Sequence, residues 1–447
     1  MKKIGRYIVR GQLGRGGMGY VYKVEMPVTG KIVALKLLKP NDLLVRLMGM
    51  EKIREMFVAE AVTMSDLRHP NLVEIWDFDE DRGMPFYVMD YYCNNLGTMI
   101  GETYETEKPS RVIRVDKAVR YTRQILAGLS RLHHGGIIHR DIKPFNMLVT
   151  DQDTVRICDF GLSKLRGERF SGPSNLKVGT PWYAPPEQER DPDSVDFNAD
   201  LFSVGVMLCR MLTGVLPMEQ PKAPSRLNPD LNEAWDAFLL KAISPQPSGR
   251  FQCAAEMDRE LATLYGEWEK QKENICNLPA EMIEDTPTAP PLKERLRRES
   301  IRVRPGEARQ AFGLDELWRP ARYVQNRFDA GGGTVTDQST GLTWEQAGSA
   351  YPVTWTQART HIEELSRRRF GGRSDWRLPT VHELMSLLNR TPHGQDLCIG
   401  PVFDATRKWL WSCDRRSFIA AWYVSLELGF VGWQDFSGYY YARGVCG

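Results

Sequence analysis

From Tyr7 to Glu25 apolar residues alternate with others on both sides of a glycine cluster, the period-two pattern of two strands joined as a hairpin whose turn is Gly14, Gly16 and Gly19. A third strand, KIVALKLLK, carries Lys36. The period then changes. In MEKIREMFVAEAVTMSDLRHPNLV, the residues Ile53, Phe57, Val58, Ala61 and Met64 recur at helical spacing, which puts Glu60 on a helix. MPFYVMDYYCNN reads as a strand followed by a connection. VDKAVRYTRQILAGLSRLHHGG is a long helix that Asp116 caps and Gly135 and Gly136 end. The apolar strand TVRICDF and the apolar helix DLFSVGVMLCRMLTG follow, and this first pattern closes near Tyr265.

The pattern breaks after that point. EDTPTAPPLKERLRRESIRVRPGEAR cannot bury much apolar surface and reads as a charged linker over 266–322. Beyond it, short aromatic runs alternate with Gly and Asp turns around two helical stretches, TWTQARTHIEELSRRR and TVHELMSLLNR. The segments KWLWSC, AAWYVSLELGFVGWQD and YYYARGVCG read as closely spaced strands, so two helices on one small antiparallel sheet are expected. Eight of the twelve tryptophans lie from Trp318 onward, a density that calls for a separate compact core.

Composition adds bounds. At 447 residues the chain is too long for one ordinary core. A content of 42% apolar and 26% charged residues is that of a globular protein, and a net charge of +2 argues neither for nor against a nucleic-acid partner. No window reaches the unbroken apolar length of about 18–20 residues that spans a membrane. MKKIGRYIVRGQLG has no apolar core behind its lysines and does not read as a signal peptide, so a cytoplasmic address without a membrane span is expected. The eight cysteines are scattered without CxxC pairs and read as idle or buried thiols. Ten Lys/Arg against five Asp/Glu lie between Lys293 and Arg327, but no aromatics interleave with the densest part, so a solvated linker is expected and no specific nucleic acid.

The chemistry concentrates in HRDIKPFNML, His139 to Leu148. An aspartate followed five residues later by an asparagine in this basic frame resembles the catalytic loop of protein kinases, HRDxxxxN, which implies a carboxylate that takes a hydroxyl proton and an amide oxygen that helps hold a cation on the phosphates. With GRGGMG, VALK and DFG in the right order and strand context, the chain resembles the serine/threonine protein kinases. The glycine spacing alone is weak, since dinucleotide folds share it. Here Val21 continues as strand, with no helix start.

The resemblance implies ATP and Mg2+ as cofactors and a protein as substrate. It makes Asp141, Lys143 and Asn146 catalytic, and Asn146 with Asp159 the metal ligands. Gly14, Gly16, Gly19, Val21 and Ala34 would surround the nucleotide, with Lys36 on its phosphates and Glu60 holding that lysine. Met89 becomes the gatekeeper, and Asp90 to Tyr92 offer backbone groups to adenine. Phe160 stacks on His139, which is structural. His133 and His134 adjoin a helix end and are given no ligand role. In the activation segment, Arg140 would pair with a phosphate on Ser171 or Ser174, while Thr180 lies near the substrate. Asp200 anchors the catalytic loop, and Glu187 pairs with Arg250. One departure stands out: PPE, Pro185 to Glu187, replaces APE, which stiffens the loop and puts peptide docking in question.

GGGTVTDQSTGLTW, SDWRLPTVHEL and the closing YARGVCG resemble the C-terminal domain of Lcl-type collagen-like adhesins, a variant of the C-type lectin fold. The resemblance covers Tyr323 to Gly447. EPN, QPD and WND triplets are absent, so no calcium site is expected, and the aromatics are expected in the core. His361, His382 and His393 form no metal pattern. The expected architecture is α+β: a bilobal protein kinase fold (N-lobe 1–90, C-lobe 91–265), the linker, and a small α+β C-type-lectin-like domain over 323–447. Two functions follow. In the first, an active kinase is directed by a tail that binds an unknown ligand or protein. In the alternative, recognition through a variable surface between Cys413 and Tyr441 is the main task and the kinase is a conditional switch or scaffold.

Overall fold

A computed structural model describes residues 2–16, 18–102, 108–160, 164–165, 182–191, 193–217, 222–276, 296–390 and 398–447. The chain divides into two compact units, Met1–Leu278 and Pro279–Gly447.

The first unit opens with an antiparallel six-stranded sheet of order β1-β2-β3-β4-β6-β5. Its strands are β1 (Lys3–Ile4), β2 (Tyr7–Arg15), β3 (Gly19–Glu25), β4 (Ile32–Leu38), β5 (Ile75–Asp81) and β6 (Met84–Asp90). Alternation sets which side each residue faces: Tyr22, Val24, Val33, Leu35, Phe86 and Val88 form one buried cluster. Between β4 and β5 lie α1 (Asp42–Met48) and α2 (Met50–Asp66), and α2 buries Ile53, Phe57, Glu60, Ala61 and Met64.

After β7 (Asn94–Asn95) and α3 (Leu96–Ile100) the unit turns helical. Helix α4 runs Val115–His134, with Arg114 at the N-cap. Asp116 therefore lies in the first turn and is not the cap; its carboxylate receives the Arg114 guanidinium at 3.1 Å. Gly135 ends the helix, and Gly136 at φ 75 supplies the turn that side chains resist. Short strands β8 (Ile137–Ile138), β9 (Met147–Val149), β10 (Val155–Ile157) and β11 (Lys164–Leu165) frame the loop between them. Then come α5 (Pro186–Arg190), α6 (Asn198–Thr213), α7 (Pro224–Leu227), α8 (Glu233–Ala242) and α9 (Ala254–Cys276). Helix α6 is buried on every side, as its continuous apolar run requires.

The second unit contains α10 (Pro305–Phe312), α11 (Trp355–Arg367) and α12 (Val381–Ser386). Its strands form two sheets, where one was expected. One sheet has β12 (Phe328–Gly331), β13 (Thr334–Asp337), β14 (Leu342–Glu345) and β18 (Val445–Cys446). The other has β15 (Trp409–Arg415), β16 (Ala420–Ser425) and β17 (Phe430–Asp435). Trp344, Trp411 and Trp422 are fully buried. The SDWRLPTVHEL stretch folds as a brace: Thr380 caps α12 in a reciprocal box with Glu383, and Arg377 grips Glu383 at 2.5 and 2.7 Å.

The linker expected over 266–322 is corrected at both ends. Helix α9 continues past Tyr265 to Cys276. At the other end Val303, Ala308, Phe312 and Leu314 are buried in the tail's own core beside Trp344 and Trp422. Apolar residues spaced among arginines hide this role in the sequence, because the charges dominate any window average.

Candidate active site

The glycine hairpin forms as expected, with Gly14 paired to Val21 and the Gly16 amide donating to the Gly19 carbonyl at 2.8 Å. Gly14 lies inside β2, so the turn itself is shorter than the glycine cluster. Each glycine is there for its own reason. At Gly19 a Cβ would meet the Leu37 carbonyl oxygen at 2.0 Å, so close strand approach excludes any side chain. Added carbons at Gly14 and Gly16 would meet nothing within 4 Å, which leaves backbone open to a ligand.

Cross-strand register then gathers the nucleotide candidates. Val21 pairs with Lys36, Lys36 with Tyr87, and Ala34 with Met89. Directly opposed residues point to the same side, as do alternate residues along a strand, so Val21, Ala34, Lys36, Tyr87 and Met89 share one face. Asp90 and Tyr92 follow at the end of β6, where the Tyr92 hydroxyl donates to Asp90 at 3.2 Å. Burial pushes the Tyr92 phenol up to about 12.

On that face the Lys36 ammonium lies 2.8 and 3.1 Å from the Glu60 carboxylate and 2.9 Å from Asp159 Oδ1. The Tyr87 hydroxyl donates to the same Glu60 at 2.9 Å. Tyr87 was not singled out from sequence, although it stands two residues before Met89 in an alternating strand. The three charges decide their own states. Burial lowers the Lys36 value, but Asp159 and Glu60 outweigh it and hold the ammonium charged, well above its usual value. Lys36 holds the Asp159 carboxyl down at about 2. Burial raises Glu60, and the lysine offsets only part of that.

The HRDIKPFNML loop contains a 3-10 turn at Pro144–Asn146. Lys143 Nζ donates to Asp141 Oδ2 at 2.7 Å. The Asn146 amide nitrogen donates to the Asp141 carbonyl at 2.8 Å and to Asp141 Oδ2 at 3.0 Å. With its nitrogen so used, Asn146 keeps its oxygen for a cation. The Cys158 amide donates to the Asn146 carbonyl at 3.0 Å, which ties the strand before Asp159 to this loop. Arg140 at φ 69 and Asp159 at φ 66 hold left-handed backbone that only over-determined surroundings maintain.

Those surroundings are visible. Asp200 accepts the amides of His139 at 2.9 Å and Arg140 at 2.8 Å. His133, given no role from sequence, places Nε2 2.9 Å from Asp200 and stacks on Phe197 at 4.5 Å. His139 packs on Phe160 with centroids 5.1 Å apart. The Gln188 amide, also missed, donates to the Arg140 carbonyl at 2.8 Å. Arg250 grips Glu187 through two bonds of 2.6 and 2.8 Å. The PPE departure fits easily: Pro186 opens α5, where a helix needs no amide donor. The sequence expectations at Ser171, Ser174 and Thr180 fall outside the described residues, as do the glycine of DFG and His393.

In the tail, His361 lies 3.0 Å from Glu345, and His382 lies 3.2 Å from Arg297. Among the described residues no group of three His, Cys, Asp or Glu side chains could hold a metal ion, and no helix is long and apolar enough to cross a membrane.

Comparison with known proteins matches the chain to two families. The protein kinase domain matches residues 7–289, and the Lcl C-terminal domain matches residues 333–446. The chain is 36% identical over 293 residues to the serine/threonine-protein kinase PksC of Streptomyces coelicolor, covering 61% of this chain and 51% of that protein. It is 30% identical over 315 residues to the serine/threonine-protein kinase pkn3 of Myxococcus xanthus, covering 65% of this chain and 55% of that protein. The chain thus spans about half the length of these relatives. A solved structure of the PknI kinase domain from Mycobacterium tuberculosis aligns with a TM-score of 0.44 and 25% identity, covering 59% of this chain and 97% of that one. The chain belongs to the protein kinase family and carries a C-terminal Lcl domain.

Proposed function

We propose that this protein is an ATP-dependent serine/threonine protein kinase that transfers the γ-phosphate to Ser or Thr hydroxyls of a protein. One observation carries this: Lys36 is held between Glu60 and Asp159, above an Asp141 that Lys143 and Asn146 both contact. In this role the open backbone at Gly14 and Gly16 covers the phosphates and Lys36 binds them. Val21, Ala34 and Met89 enclose the adenine ring, whose edge meets backbone groups between Asp90 and Tyr92. Asp141 takes the proton of the acceptor hydroxyl. Lys143, paired with Asp141, sits where charge builds on the transferred group.

The donor set also fits a hard divalent cation. Asp159 stays ionised and its side chain is 47% exposed, while Asn146 offers a neutral oxygen. Mg2+ held by these two would neutralise phosphate charge. Positioning is supplied by Asp200, Glu187, Arg250 and Gln188. The buried Arg140 would receive a phosphate from the activation segment, with Ser171 and Ser174 as the candidates and Thr180 on the substrate side. A cleft of about 260 Å3 lined by Trp182, Ala184, Pro186, Glu189 and Arg190 offers a place for the substrate chain. The use of ATP goes with a cytoplasmic address.

The tail is proposed to recognise a ligand or protein that directs the kinase. The exposed Phe418, Ile419, Trp433 and Tyr439, all between Cys413 and Tyr441, favour a contact surface there. The same observation supports the alternative in which recognition is the main task and the kinase is a conditional switch or scaffold.

Transfer of labelled γ-phosphate from Mg-ATP to the protein and to a basic protein substrate tests this. Label should appear with the natural chain and vanish with Asp141→Asn. A folded natural chain that labels nothing, with or without residues 296–447, would not be a kinase.

A further inference from the structure

The run from Arg297 to Arg304 has no aromatic neighbours in sequence, and the fold supplies them. The Arg415 amide donates to the Ile301 carbonyl and the Val303 amide to the Arg415 carbonyl, each at 2.9 Å. Arg302 thereby forms a parallel bridge with Arg415, and the basic run lies along β15 as an added edge. This brings it beside the turn from Arg416 to Ile419, where β15 passes into β16 and the Phe436 amide after β17 donates to the Ile419 carbonyl at 2.8 Å.

Cations and rings interleave around that turn, from the run beside β15 across to Trp433 on β17. The Arg302 guanidinium lies 4.8 Å from the Phe418 ring centre, and that of Arg416 lies 3.4 Å from the Trp433 ring centre. Phe418, Ile419 and Trp433 are 77%, 63% and 38% exposed. Arg302, Arg304 and Arg415 are exposed, and Arg416 is half-buried. None of the four makes an ion pair with a described residue. Two acids lie near: the charge of Asp435 reaches Arg416, and Glu299 is exposed on the same run. Glu307 follows in the first turn of α10, and the buried Asp414 is offset by Arg297, so four arginines against three acids leave the strip cationic.

Each component has a cost that a bare surface would not carry. Large apolar side chains in water lose the hydrophobic term, and unpaired guanidiniums repel one another. A ligand that relieves both must carry negative charges at intervals with flat apolar faces between them. A phosphopeptide pocket would instead converge several donors on one point. Here the guanidiniums are spread along an edge and lie over rings, the arrangement that suits unstacked bases strung on phosphates.

We propose that this edge of the tail binds single-stranded nucleic acid without sequence preference. Its phosphates meet Arg302, Arg304, Arg415 and Arg416, and its bases stack on Phe418 and Trp433. The surface belongs wholly to the second unit, and the proposal does not rest on the kinase chemistry.

Fluorescence anisotropy of a labelled oligothymidylate of about twenty nucleotides, titrated with the full chain at several salt concentrations, tests the assignment. The affinity should fall with salt. Replacing Arg302 and Arg416 together by Ala should lower the slope of log affinity against log salt by about two. Phe418→Ala should weaken binding at least about fivefold and leave that slope unchanged. Arg302 and Phe418 are exposed and Arg416 is half-buried, and a melting temperature within a few degrees of the natural chain's checks that each variant is folded. No saturable binding, or natural affinity in both variants, would overturn the proposal. Displacement by polyglutamate of matched charge as readily as by unlabelled oligothymidylate would also overturn it and assign the edge to an acidic peptide.

Discussion

His133 Nε2 stands 2.9 Å from Asp200 Oδ2, and the same Asp200 carboxylate receives the amides of His139 and Arg140. The end of α4 is thereby joined to the start of α6 through the backbone of the catalytic loop. His133→Ala removes one hydrogen bond to a charged group, worth about 1.5–3 kcal/mol. Denaturant titration should show that loss, and kcat should fall while the KM for ATP holds. A variant equal to the natural chain in both would remove His133 from the site.

Asp200 also gives an acid limit. Its burial opposes charge, yet the bonds from His133 and the loop amides hold its carboxyl below the usual value. A depressed native value means a stabilisation fully present above the ordinary carboxylate range and lost as pH falls through the native value. Unfolding followed from pH 7 downward should therefore be less steep in Asp200→Asn, which is weaker throughout.

Lys36 and Asp159 predict an activity that neither of them titrates near neutrality. Asp159, held near 2, stays ionised, and Lys36 stays charged. Glu60→Gln keeps the shape and removes the charge that steers Lys36, so the KM for ATP should rise about tenfold through mispositioning. The pH profile of Asp159→Asn should be lower throughout and unshifted; a shifted acid limb would place that titration on Asp159.

Asp141→Asn should lower kcat by about 10²–10⁴-fold, the usual worth of a positioned proton acceptor. Binding of ATP should hardly change, because the role proposed for Asp141 is toward the acceptor hydroxyl. A loss confined to KM would give Asp141 a binding role instead.

Arg250 is wholly buried and its partner Glu187 nearly so, at 0% and 14% exposure. Arg250→Met leaves a buried carboxylate without its cation and should cost about 3–5 kcal/mol. Changing Glu187 to Gln in the same chain should recover part of that. Additive losses in the double variant would deny the coupling.

Because Val303, Phe312 and Leu314 sit in the tail's core, a fragment of residues 296–447 should fold and one of residues 323–447 should not. In the longer fragment Phe312→Ala should cost about 3–5 kcal/mol by thermal or chemical unfolding. A cooperative transition in the shorter fragment would show the added segment to be dispensable.

The sequence by itself determined the order and type of the chemical groups. HRDIKPFNML, the glycine hairpin and the β4 lysine are local patterns, set by neighbours within one turn or strand, so period and spacing expose them. Helices α4 and α6 were legible for the same reason, because a buried face repeats every few residues. The end of α9 was not, since charged residues continue a helix without any apolar signal.

Tertiary structure decided which groups meet. Lys36 finds Glu60 at a separation of 24 residues and Asp159 at 123, contacts that no window contains. Only packing turned His133 from a helix-end charge into the support of Asp200. It likewise laid the run from Arg297 to Arg304 against β15, into the tail's core and beside its exposed aromatics. A polar contact across the fold has no periodicity to read. It is fixed by the register of strands and the packing of helices, which the apolar residues set.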